Sequence, residues 1–415
     1  MRPRIHYYSD CPFFGGSENM LAIFLGDREF QTAFDMVFTY RYNIRYQEGL
    51  SKKIPISPAF HQVRLFDHYD LYDDIDREVP PSFRKIVKGL VNLFLIKYLF
   101  LIMNLFTLYR HFSKFDIDLL HINNGGYPGA YSTISAVFAA KLAGVKRVVY
   151  VINNIPVGYR SPERWLDYPI DRVLIHFVTQ FVTGSNFTRE KAIQILNIPS
   201  DKIMFIHNGI VPHPVTESKS QYLSRWGLPH KPFIISVIAS LEERKGHIYL
   251  FKAIQVIRET HPGIGLPFCI IAGTGPLEEY LKKSVHEMGI ASHVLFIGHE
   301  DHVFNLINAS DCLVLPSIKN EDLPFVILEA MFSGKPIIAS DLAGIPEEIG
   351  MNSGILIPPG DYKRLADEIM TLMADESLRK YLGKNAENRF RENFTHEKAL
   401  KNYFALSMKL LGDEA

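Results

Sequence analysis

Short, wholly apolar runs alternate with amphipathic stretches along almost the entire chain, and this rhythm restricts the fold more than any other feature of the sequence. Arg147-Val-Val-Tyr-Val-Ile, Phe233-Ile-Ile-Ser-Val-Ile, Phe268-Cys-Ile-Ile-Ala and Cys312-Leu-Val-Leu have the length and composition of strands covered on both faces. Such strands separated by helical segments belong to parallel sheets wrapped by helices, the α/β class. At 415 residues the chain exceeds what one hydrophobic core serves, so two such domains are expected. The pattern lapses in Val211-Pro-His-Pro-Val-Thr-Glu-Ser-Lys-Ser, a polar, proline-bearing stretch that suits a connection. This reading gives a first domain over 1–209, a linker over 210–231 and a second domain over 232–394. The closing segment, 395–415, reads as one amphipathic helix opened by a Thr395 cap and able to cross back to the first domain.

Charge and cysteine usage narrow the function. Forty-five basic and 45 acidic residues cancel, which leaves no net field to draw nucleic acid. Cys11, Cys269 and Cys312 have no metal-ligand spacing and offer no disulfide framework. The start, Met1-Arg-Pro-Arg-Ile-His, lacks the apolar stretch of a secretory signal, so a cytosolic location is expected. Residues 89–109 approach the length that could span a bilayer, but Lys97 in the middle argues against crossing. Arg84, Lys85, Lys88, Arg110 and Lys114 flank the run, so it reads equally as a helix lying in an anionic membrane surface or as a core helix.

Three segments of the second half carry residue types suited to a sugar nucleotide. In Asn320-Glu-Asp-Leu-Pro-Phe-Val-Ile-Leu-Glu, Glu321 lies in a loop before a helix expected over Phe325–Ser333, with Pro324 in its first turn and Gly334 ending it; Glu329 lies one turn further on. A loop glutamate can accept from sugar hydroxyls and a helical one can grip a ribose diol, while the first-turn amides near Leu323, Pro324, Phe325 and Val326 favour a diphosphate. Upstream, Ile235-Ser-Val-Ile-Ala-Ser-Leu-Glu-Glu-Arg-Lys runs from a strand into a loop bearing Arg244 and Lys245. Adjacent cations suit a departing diphosphate, and the carboxyl end of a strand is where doubly wound folds bind ligands. Ala272-Gly-Thr-Gly places Gly273 and Gly275 at another such turn, where glycine lets backbone come close to a ligand. In the first half, Phe14-Gly-Gly-Ser-Glu offers backbone at Gly15 and Gly16, and two strands end in paired asparagines, Asn123-Asn124 and Asn153-Asn154, whose amides can bond hydroxyls of an acceptor. Asp74-Ile-Asp76 and Asp116-Ile-Asp118 spell a D-x-D but lack the context of a metal site, and no metal or cofactor is expected.

Taken in order, Gly15-Gly16-Ser-Glu18, Asn208-Gly209, Arg244-Lys245-Gly246, Gly273-Thr-Gly275-Pro, Glu321-x7-Glu329 and Asp341-Leu-Ala-Gly344-Ile-Pro-Glu347 resemble the retaining glycosyltransferases of family 4. The resemblance implies a GT-B architecture, two Rossmann-like domains with parallel sheets facing across a cleft, donor on the second and acceptor on the first. It implies that Glu329 binds ribose, Arg244 and Lys245 the diphosphate, Glu321 the transferred sugar, and the loop at Gly15–Gly16 the neighbourhood of the leaving group. Many members have histidine where this chain has Asn153, which leaves the role of that position open; His121 is a substitute. The resulting expectation is transfer from a UDP- or GDP-sugar to a glycan or lipid-linked acceptor. A sugar-nucleotide epimerase or hydrolase, or a non-catalytic binding protein, would share the nucleotide residues.

Overall fold

The computed structural model describes residues 2–412 other than 12, 13, 15, 58, 94, 95 and 229–232, with the side chains at 17, 68, 69, 73, 92 and 93 left aside. The chain divides into two compact units, Met1–Ile206 with Leu400–Ala415, and His207–Ala399. The division falls three residues before the expected boundary for a local reason: His207 bonds Glu347 at 2.8 Å, Ile210 bridges to Thr395, and Gly209 lies tight against the Thr395–His396 backbone. The stretch 210–231 is not a bare linker. Its helix Lys219–Arg225 starts in a capping box between Ser218 and Gln221, and Tyr222 and Leu223 are buried against Ile234, Ile270 and Leu306 of the second unit.

The first unit is built on seven parallel strands, β1 (Arg4–Ser9), β2 (Asp35–Arg41), β3 (Phe60–Val63), β4 (Leu119–Asn124), β5 (Arg147–Ile152), β6 (Gln180–Thr183) and β7 (Ile203–Phe205), in the order β3-β2-β1-β4-β5-β6-β7. Helix Tyr131–Leu142 buries eight of its twelve residues, which is why it shows no amphipathic stripe. In the final helix, His396–Gly412, Tyr403 stands edge-on to Phe24 and Phe404 packs on Phe30 and Phe34. The second unit has six parallel strands, β8 (Ile234–Ile238), β9 (Phe268–Ala272), β10 (Val294–Gly298), β11 (Cys312–Leu315), β12 (Ile337–Ser340) and β13 (Ile355–Ile357), in the order β10-β9-β8-β11-β12-β13. Neighbouring positions in β11 serve opposite cores: Cys312 and Val314 join Leu250, Phe251 and Ile254 on one face, Leu313 and Leu315 join Ile327, Leu328 and Met331 on the other. Truncating Leu250 or Leu328 to alanine would cost about 2–5 kcal/mol. Cys269 and Cys312 are free thiols within these strands.

Residues 89–109 form parts of two helices, Pro81–Leu93 and Ile96–Phe112, whose apolar portions meet at 60°; among the described residues no single helix is long and apolar enough to cross a membrane. Lys97 is no stray charge in an apolar run. It lies 3.1 Å from Asp167, which also takes Arg164 at 2.8 Å and the hydroxyls of Tyr98 and Tyr131, while Arg164 reaches Asp171 at 2.9 Å. This buried network ties helix Ile96–Phe112 to helix Pro162–Phe177. The D-x-D carboxylates are engaged locally: Asp74 pairs with Arg77, Asp76 with Lys88, and Asp118 accepts from the Arg4 amide.

Candidate functional site

Each sheet has one place where the chain order reverses, between β1 and β4 in the first unit and between β8 and β11 in the second. At such a switch point the loops leaving two adjacent strands diverge and open a crevice at the carboxyl edge. Arg244, Lys245 and Glu321 gather at the second of these places, and Asn123, Asn124 and Asn153 at the first.

In the second unit the chain leaves β8, turns through Glu243–Lys245 and enters helix His247–Thr260 by way of Gly246 at φ 69°. A Cβ on Gly246 would fall 2.0 Å from the Pro316 carbonyl, and the Ile318 amide donates to Arg244 O at 2.8 Å, so the loop after β8 lies directly on the loop after β11. That approach brings the charges together. Lys245 Nζ and Ser317 Oγ both donate to Glu321 Oε1, the latter at 2.8 Å; Arg244 stands 3.7 Å from the same oxygen, with its Nε on Glu242 at 2.7 Å and Nη1 on the Asn320 carbonyl at 3.2 Å. Glu321 is 5% exposed, whereas the Arg244 side chain remains 29% exposed. The family resemblance gives Glu321 to the transferred sugar and the cations to the diphosphate; the fold also makes Glu321 their counter-ion. Burial pushes the Glu242 carboxyl up, but its bond and charge interaction with Arg244 outweigh this and hold it below the ordinary range.

Helix Phe325–Phe332 follows, with Pro324 as its N-cap residue, Leu323 buried, Phe325 and Val326 in the first turn and Glu329, half-buried, in the second. Gly273 and Gly275 need a different explanation from the one expected. A Cβ at Gly273, φ 143°, would sit 2.0 Å from Ala239 O, and one at Gly275 2.6 Å from Leu241 O, so loop packing on loop already requires both glycines. Glu348, which the sequence reading passed over, is fully buried and neither carboxyl oxygen has a hydrogen-bond partner among the described residues. Burial first, then the charges of Asp322 and Glu321, push its pKa well up. The Glu347-Glu348 doublet was its only sequence signal.

In the first unit, Ser9 ends β1 beside Asn123 of β4, and Asn123 in turn pairs with Val151 of β5, just before Asn153. Asn153 donates to Asn123 Oδ1 and to the Asn124 carbonyl, both at 2.9 Å. Asn124 is spent on its own turn, donating to Gly126 O, Pro128 O and the Tyr150 hydroxyl. Glu18, fully buried, accepts from Ser9, Cys11, Tyr46 and Asn123. Gly16 is the exposed first residue of helix Gly16–Gly26, and Gly15 lies outside the described residues. His121 is not a substitute base. Its ring lies 5.1 Å from Tyr7 and 5.7 Å from both Phe24 and Tyr403, and burial lowers its pKa to about 3, so it stays neutral inside an aromatic core.

The chain is similar to glycosyltransferases along most of its length. Residues 59–213 match the Glycosyltransferase Family 4 model and residues 218–389 the model of glycosyl transferases group 1. An uncharacterized glycosyltransferase of Methanocaldococcus jannaschii is 28% identical over 244 residues, 56% of this chain; the match spans 61% of the relative, less than two thirds of its length. The UDP-Gal:alpha-D-GlcNAc-diphosphoundecaprenol alpha-1,3-galactosyltransferase of Escherichia coli is 26% identical over 307 residues, 70% of this chain and 75% of that one. The crystal structure of Anabaena HepE in complex with UDP superposes with a TM-score of 0.72 at 18% identity, covering 97% of this chain and 99% of that one, which shows a shared GT-B fold. The chain belongs to family 4 of the glycosyltransferases.

Proposed function

We propose that the protein is a retaining, metal-independent glycosyltransferase that moves a sugar from a UDP- or GDP-sugar to a glycan or lipid-linked acceptor in surface polysaccharide or lipopolysaccharide synthesis. The observation that carries this reading is the convergence of Arg244 and Lys245 on Glu321 at the switch point of the second sheet. A diphosphate arriving there offers the cations a second anion. As the sugar–phosphate bond breaks, negative charge grows on the leaving oxygen, and cations already held in place stabilise it without reorganising; one such donor is commonly worth ~10²–10³ in turnover. Glu321, released from part of its pairing, accepts from hydroxyls of the transferred sugar, and Glu329 takes the ribose diol. The acceptor attacks from the leaving group's face and passes its proton to the departing phosphate, so no protein nucleophile is required. The UDP bound to HepE and the UDP-Gal in the name of the Escherichia coli relative support a nucleotide donor, and the diphosphoundecaprenol in the same name supports a lipid-linked acceptor.

A thermal-stability screen with UDP-, GDP- and ADP-sugars tests the pocket through binding linkage. One of them is expected to raise Tm, with Glu329→Ala and Arg244→Ala each weakening the effect about tenfold or more. A shift that both substitutions leave intact would remove the assigned site.

The same proposal places the protein on the inner face of the cell membrane. Helix Pro81–Leu93 exposes Phe83, Ile86 and Leu90, and helix Ile96–Phe112 exposes Leu99, Ile102, Phe106 and Tyr109, at the three- and four-residue spacings of one helical face. Arg84, Lys85 and Lys88 lie among the first set and Arg110 ends the second, a pattern suited to an anionic lipid surface. The wild type should float with phosphatidylglycerol vesicles and the folded Leu99→Glu/Phe106→Glu variant should not. Equal flotation of the two would dismiss this surface.

A further inference from the structure

We propose that Glu18 is a positioning residue: through Asn123 it fixes the side-chain amide of Asn153 so that the Asn153 oxygen is presented as an acceptor for a sugar hydroxyl. The inference rests on the proposed transfer reaction for its ligand, and on geometry for everything else.

The chain of constraints starts at a group that can only accept at the atom concerned. Glu18 Oε1 takes Ser9 Oγ at 2.9 Å, Cys11 Sγ at 3.3 Å and Asn123 Nδ2 at 2.8 Å, while Oε2 takes the Tyr46 hydroxyl. Any proton on the carboxyl would sit on the Tyr46 side, so Oε1 demands a donor in either protonation state. Asn123 must therefore aim its nitrogen at Glu18, and its oxygen is then aimed at Asn153. That oxygen accepts one Asn153 N–H at 2.9 Å, and the Asn124 carbonyl takes the other at 2.9 Å. Both donors of the Asn153 amide are spent inside the protein, and Oδ1 is what the half-buried side chain has left to offer. An amide without such partners could present either face to a ligand. The Asn124 carbonyl, which can only accept, and the Asn123 oxygen, turned toward Asn153 by the buried Glu18, together remove that freedom beside the switch point of the first sheet.

The arrangement distinguishes an oriented acceptor from a group that moves protons: Asn153 selects an O–H donor by geometry and needs no change of charge. Glu18→Gln can keep the relay, because its amide oxygen can occupy the Oε1 position while its nitrogen faces the Tyr46 hydroxyl, which can accept. Glu18→Ala cannot.

Two measurements on the full chain decide the matter. With selective ¹⁵N-asparagine labelling, and the Asn153 signal assigned by its loss in Asn153→Ser, the Asn153 side-chain protons should exchange slowly in the wild type and in Glu18→Gln. The proton given to Asn123 should exchange faster in Glu18→Ala, or in Asn123→Ser if Glu18→Ala fails to fold, while the one held by the Asn124 carbonyl is the less affected. Protection unchanged in the folded variant would overturn the relay. Turnover of UDP-glucose, UDP-galactose and GDP-mannose, followed as released nucleoside diphosphate, tests the ligand. Asn153→Ala and Glu18→Ala should each lower kcat about tenfold or more with little change in donor KM, Glu18→Gln should retain activity, and the double variant should be no worse than the weaker single one. Additive losses would overturn the coupling. With no acceptor added, the sugar passes to water and the released nucleoside diphosphate reports that slow hydrolysis; if the wild type hydrolysed none of these donors, the exchange measurement alone would judge the relay.

Discussion

The two switch points hold the same position in their sheets and are furnished in opposite ways. In the second unit, charged side chains stand at the crevice itself, with Arg244 partly open to solvent and tied to Glu242 and Asn320. In the first unit the crevice holds amides set by one buried carboxyl and, beside them, a buried pair in which Asp10, just past β1, faces Arg41 at 3.6 Å, while the Lys97–Asp167–Arg164–Asp171 network lies inside the helical layer. The same kinds of charge are therefore placed differently: buried and mutually satisfied they join two helices, and at the second unit's crevice Arg244 stays partly open to solvent, as the proposed diphosphate site requires. A count of ion pairs would not tell these cases apart, whereas the position of each pair relative to the strand ends does.

The largest effect that sharpens this contrast is expected from Asp167→Ala. It leaves Lys97 and Arg164 buried without their shared partner, and such a loss costs about 3–5 kcal/mol in chemical denaturation. A cost under about 1 kcal/mol would mean that the network does not hold the helices. Lys245→Ala should invert the pattern. Turnover falls ~10²–10³, while stability changes less than in Asp167→Ala, because Ser317 and Arg244 still face Glu321. Lost stability with unchanged turnover would make the second unit's cations structural too.

The smallest effect is a matter of pH. Burial keeps His121 neutral down to about 3 and His247 down to about 4, whereas in the unfolded chain each takes a proton near 6.5. As pH falls below 6.5, the unfolded state binds protons that the native state refuses, so stability drops, by about 1.4 kcal/mol per pH unit for each group. His121→Phe should make the acid limb of stability against pH shallower by one proton and leave turnover at neutral pH unchanged. An unchanged limb would mean that the ring is not held neutral.

Much of this was legible in the sequence where one residue type has one physical meaning. Strands Arg147–Ile152, Phe268–Ala272 and Cys312–Leu315 begin and end as their apolar runs do. Helix Phe325–Phe332 stops at Ser333 with Gly334 in the left-handed region, as the Gly334 punctuation implies. The capping box Ser218-x-x-Gln221 falls inside the stretch that proline and polarity mark as a connection, and it opens a helix there. What did not show was partnership across the chain. Nothing near Glu321 says that Lys245, 76 positions earlier, will neutralise it, and nothing near Asn153 points to Glu18. His121 and Asn123 stand two residues apart on one strand, yet the packing of Tyr7, Phe24 and, from the far end of the chain, Tyr403 makes one of them core.

The cation pair of the second unit is proposed as the seat of the diphosphate, and every other assignment at that crevice follows from it. Isothermal titration of UDP and GDP in excess EDTA measures this directly. Binding of one nucleotide that persists under chelation, weakens with salt and falls at least about tenfold in Lys245→Ala is the predicted result. Affinity unchanged by the substitution, or abolished by the chelator alone, would contradict it.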